Sequence, residues 1–83
     1  MIGLYEYNAL THDDKGSMLW ANGTYLTMRQ EGHYKINLYS LSNFFVEAWY
    51  DPDLNKINEF KTFKSRHALE PYYDFIDLSQ LLR

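Results

Sequence analysis

No cysteine occurs in this chain, which removes disulfides, thiol catalysis and thiolate metal sites. A small secreted domain commonly needs such staples, so their lack points to the cytoplasm. Positive charge is also scarce. Eight Lys and Arg against eleven Asp and Glu give a net charge of −3, and the basic residues are dispersed. Nucleic-acid binders draw affinity from clustered cations that displace counterions, so no nucleic acid is expected as partner. The densest basic run, Lys61, Lys64, Arg66 and His67, reads as a solvated strand end and helix start. No apolar run reaches the length of a membrane span, and the first residues, MIGLYEYNALTHDD, lack the pattern of a signal peptide. Asn22-Gly23-Thr24 matches a glycosylation sequon, which carries no weight without such a signal. The four glycines are scattered and form no phosphate-cradling loop, and no nucleophile motif is present.

Aromatics are abundant. They make up 18% of the 83 residues, with eight tyrosines, in a chain that is 46% hydrophobic. Such a composition folds, and the length fits one domain spanning residues 1–83. Residues 1–10 read as an arm or short edge segment. Thr11 reads as a helix N-cap, with Asp13 and Asp14 favourably placed in the first turn. Met18, Leu19 and Ala21 supply an apolar stripe flanked by Trp20, and Asn22-Gly23 ends the helix in a left-handed C-cap.

Four strand candidates follow: GTYLTMRQ, HYKINLYSL, NFFVEAWY and KINEFKTF. The separators Glu31-Gly32, Ser42-Asn43 and the run from Asp51 to Asn55 are short enough for hairpins, which predicts an antiparallel meander. Ser65 caps a last helical region, with a short helix expected from Pro71 to Phe75 and a final turn, Leu78 to Leu82, capped by Asp77. The predicted class is α+β: an N-terminal helix, a four-stranded antiparallel meander, and short C-terminal helices packed on one sheet face.

With Glu31-Gly32 and Ser42-Asn43 as two-residue loops, Arg29 faces Tyr34, Thr27 faces Ile36, Tyr25 faces Leu38, Leu38 faces Glu47 and Ile36 faces Trp49. Alternation then gathers Tyr25, Thr27, Arg29, Tyr34, Ile36, Leu38, Phe45, Glu47 and Trp49 on one face. The other face is equally apolar. Four strands of about seven residues present roughly 450 Å² per face. Two ten-residue helices cover only about 300 Å². One aromatic face is therefore expected to stay partly open, as interaction surfaces do.

Tyr25, Arg29, Tyr34, Ile36, Phe45, Glu47 and Trp49 are thus the candidate binding residues of a cytoplasmic protein-interaction domain, burying either a homodimer or a partner-protein interface. Glu47, an acid in the middle of an aromatic strand, reads as a structural carboxylate partnered by a tyrosine or by Arg29 reaching past Leu38. The alternative makes Glu47 and Arg29 the polar groups of an aromatic pocket in a small-molecule-binding domain or enzyme. A third reading is a regulator acting through its acidic rim. No catalytic residue, cofactor or metal is implied. His12-Asp13-Asp14 point in different directions on a helix, Asp51, Asp53 and Asn55 read as a turn, and the three histidines are distant in sequence.

Overall fold

A computed structural model describes residues 2–74. The expected turn at Leu78 to Leu82 lies outside them. Two helices, α1 (Leu4–Asn8) and α2 (His12–Asn22), precede strands β1 (Thr24–Glu31), β2 (Tyr34–Leu41), β3 (Phe44–Asp51) and β4 (Lys56–Phe63), and a 3-10 helix spans Arg66–Tyr72. The strands form one antiparallel sheet in the order β1-β2-β3-β4, the meander that the short connections predict. The α+β class holds.

Residues 4–8 are helical, where the sequence suggested an arm. The Tyr5 and Tyr7 alternation resembles a strand, but Glu6 folds back to accept the Gly3 N–H at 3.2 Å, and Tyr7 alone of the five helical residues is buried. Its hydroxyl donates to the Lys15 carbonyl at 2.9 Å and so locks α1 to α2.

Helix α2 begins as expected, Thr11 accepting the Asp14 N–H at 3.2 Å. Its buried stripe is Gly16 and Leu19, while Ala21 is exposed. The C-cap differs from expectation. Gly23 is extended, with φ −78° and ψ 155°, and donates to the Leu19 carbonyl at 2.8 Å. Glycine is needed there for closeness rather than for a left-handed backbone, because a Cβ would lie 2.7 Å from that same carbonyl oxygen.

The β2–β3 register is the expected one, pairing Leu38 with Glu47 and Ile36 with Trp49. The β1–β2 loop lies one residue later than expected, at Gly32-His33, with Gly32 at φ 59° where a side chain would be strained. Arg29 therefore pairs with Ile36 and Thr27 with Leu38. This shift by two residues keeps both on their expected face. Tyr25 does not stay there. A bulge between Tyr25 and Thr27 pairs Tyr25 with Tyr39, on the opposite face, and brings Leu26 into its place.

Helices α1 and α2 cover one face. Tyr7 and Leu19 meet Leu41, Phe44, Val46, Ala48 and Phe60 there. The face expected to remain open receives the 3-10 helix, whose Leu69 and Tyr72 pack with Leu38, Leu26, Phe45 and Phe63. Ser65 caps this helix through the His67 N–H at 3.2 Å. It starts earlier than the expected Pro71 to Phe75 helix and holds Pro71 near its end. Two flanking bonds, Ala68 N–H to Ser65 and Tyr73 N–H to Glu70, need nothing from the proline nitrogen. Among the described residues no helix is long and apolar enough to cross a membrane.

Candidate functional site

Glu47 sits at the centre of a polar cluster on the face under the 3-10 helix. Strand alternation turns it away from Val46 and Ala48, towards Tyr72. Its Oε2 accepts the Tyr72 hydroxyl at 2.5 Å and an Arg29 N–H at 3.4 Å, and its Oε1 accepts the Trp49 indole N–H at 3.3 Å. Arg29 reaches diagonally across β2 and also donates to Glu31 at 2.9 Å. Its guanidinium lies 5.2 Å from the Tyr72 ring and 5.7 Å from the Trp49 ring, with Lys61 Nζ 4.0 Å from the Trp49 ring centroid. The expected tyrosine or arginine partner of Glu47 is thus both. Sequence reasoning had no signal for Tyr72 itself, which lies 25 residues away.

The electrostatics are those of a clasp. Burial, reinforced by the bond to Glu47 and by its charge, holds the Tyr72 phenol well above its ordinary range against the opposing pull of Arg29. Burial alone would lower the Arg29 guanidinium, yet Glu31, Tyr72 and Glu47 together leave it raised. Burial also pushes the Tyr7 phenol up to about 12.

These two phenols set an alkaline limit on stability. Below pH 10 they are protonated in both folded and unfolded chains, and their contribution is complete. Above it the unfolded chain releases protons that the native fold retains. Unfolding then becomes easier by up to about 1.4 kcal/mol per pH unit for each phenol. The Tyr7 share is lost by about pH 12. Denaturant unfolding at pH 9, 10 and 11 is expected to show a flat stability and then a fall. An unchanged stability at pH 11 would refute the assignment.

The other expected interface residues separate. Ile36 is fully buried, Tyr34 and Phe45 are half-buried, and Tyr34 meets Trp49 edge-on at 5.5 Å. Tyr25, 54% exposed, lies on the α2 side against Tyr39 at 5.6 Å.

There an aromatic strip continues that the sequence did not reveal. Trp20 contacts Tyr39 at 5.5 Å and Phe60 at 6.2 Å, and the His12 ring stands 5.0 Å from Phe60. Beside them an open groove of about 690 Å³ runs between α2 and β4, an edge strand. His12, Asp13, Trp20, Lys56, Asn58 and Phe60 are among its lining. A bulge where β4 pairs with Trp49 and Tyr50 leaves Asn58 without a strand partner at that point. Neither this groove nor a second cavity of about 300 Å³ beside Ile2, Met18 and Leu41 is lined by Glu47 or Arg29. Only the assembled fold reveals the groove, because α2 and β4 are far apart in sequence. Compared with protein-family models, with curated proteins and with solved structures, the chain matches none of them.

Proposed function

We propose that this chain is a small protein-interaction domain of the cytoplasm, and that the groove between α2 and β4 takes an extended segment of a partner protein. One observation carries the reading: Trp20, 54% exposed, stands at a groove bounded by an edge strand. Tryptophan and tyrosine dominate binding energy at protein interfaces, and an edge strand offers unpaired backbone groups to an incoming chain. Lys56 and Asp13 at the groove give it polar groups of both signs. The mutual pairing of Glu47 with Arg29 and Tyr72 weighs against the small-molecule or catalytic alternative, since those groups serve one another.

Selection from a displayed peptide library is expected to enrich ligands whose binding falls at least about tenfold in Trp20→Ala, a loss typical of an interface hot spot. The fold should persist with a modest loss of stability, because Trp20 is half in solvent but also contacts Tyr39 and Phe60. Ligands indifferent to Trp20 would reject the proposal. Sedimentation equilibrium separates the remaining occupant, a second copy, which would appear as a mass of about twice 10.0 kDa.

A further inference from the structure

The meander brings two turns together at one end of the sheet. His33 lies in the β1–β2 loop, and Asp51 and Asp53 lie at the β3–β4 turn. One donor atom from each falls within 4.8 Å of the others. The histidine and the aspartates are far apart in sequence, and the pairing of Lys35 with Tyr50 makes them neighbours.

Asp51 is the informative member. Its Oδ1 is committed to the turn, accepting the Asp53 N–H at 2.9 Å and the Leu54 N–H at 3.3 Å. Its Oδ2 has no hydrogen bond among the described residues and faces His33 Nε2 at 3.5 Å. The side chain is only 9% exposed. Two backbone N–H groups satisfy one of its oxygens, which leaves the other to the imidazole. The His33 ring rests on Tyr34 at 4.2 Å, which restricts its orientation.

We propose that His33, Asp51 and Asp53 form a site for a divalent transition-metal ion of the zinc class, clasping the two turns. Ligands at about 2.1 Å from a tetrahedral ion stand roughly 3.4 Å apart. The His33–Asp51 pair already has that separation. Asp53 is exposed and has room to close the remaining gap. One imidazole nitrogen with two carboxylate oxygens suits Zn²⁺, Co²⁺ or Ni²⁺, whereas Mg²⁺ and Ca²⁺ prefer oxygen alone. Solvent completes the coordination on the exposed side.

Calorimetric titration of the untagged chain with Zn²⁺ tests this. One equivalent is expected to bind, at least about tenfold more weakly in His33→Ala and in Asp53→Ala, since losing even a side chain that only hydrogen-bonds a ligand costs about that much. Asp51 is left intact because it also holds the turn. Ca²⁺ and Mg²⁺ are expected to bind more weakly than Zn²⁺. Co²⁺ should broaden the amide resonances of residues 32–34 and 51–54, and not those around His12 or His67. No zinc binding by the wild-type chain, equal affinity in His33→Ala, equal affinity for Ca²⁺, or broadening centred on His12 or His67 would each overturn the site.

Discussion

Replacing Glu47 with alanine is expected to cost about 3–5 kcal/mol of unfolding free energy, because removing one partner of a buried pair strands the other. Arg29 would keep its exposed bond to Glu31, but its second N–H group and the Tyr72 hydroxyl would lose their acceptor in a buried setting. Denaturant unfolding measures the cost. The combined replacement Arg29→Met, Glu47→Leu and Tyr72→Phe should recover most of it, since of the groups bonded to Glu47 it leaves unpaired just the half-buried Trp49 indole N–H. A cost below about 1 kcal/mol for Glu47→Ala would mean that the cluster is surface decoration rather than a clasp. The value of the clasp is in placement. Glu47 draws the 3-10 helix onto the sheet through Tyr72 and fixes Arg29 diagonally across β2.

The second large effect is expected at Tyr7. Truncation to alanine removes a fully buried ring that packs on Phe44 at 5.7 Å, together with the hydroxyl that ties α1 to α2. The expected loss is about 3–5 kcal/mol, against roughly 1 kcal/mol for Tyr7→Phe, which removes only the hydrogen bond. A domain of this length has roughly 4–12 kcal/mol in total, so Tyr7→Ala is expected to lie near the unfolding threshold at 25 °C. Thermal and denaturant unfolding of the two variants separate packing from hydrogen bonding. Equal losses in both would show that the ring contributes little, contrary to its burial.

Much of this architecture is written in local chemistry. Thr11 and Ser65 announce their helices because a short hydroxyl side chain can satisfy a free N–H in the first turn. Ser42-Asn43 fixes the β2–β3 register, and with it the position of Glu47 opposite Leu38. What the sequence conceals follows from other causes. Glu31-Gly32 and Gly32-His33 are both plausible loops, and only the second places Gly32 first, at its positive φ. The bulge at Leu26 moves Tyr25 to the other face, and alternation cannot show this when both residues are apolar or aromatic. The Tyr72 contact and the groove beside Trp20 depend on segments brought together only in the folded chain. The expected interface therefore divides. Arg29 and Glu47 serve the clasp, and Tyr25 joins the aromatic strip on the α2 side.

The most direct test of the proposed contact surface is chemical-shift mapping on the isotope-labelled chain with a selected peptide ligand. The largest changes are expected to fall on the Trp20 indole, on His12 and on the amides of residues 56–60. Changes centred instead on Tyr34, Trp49 and Lys61, across the sheet, would contradict it.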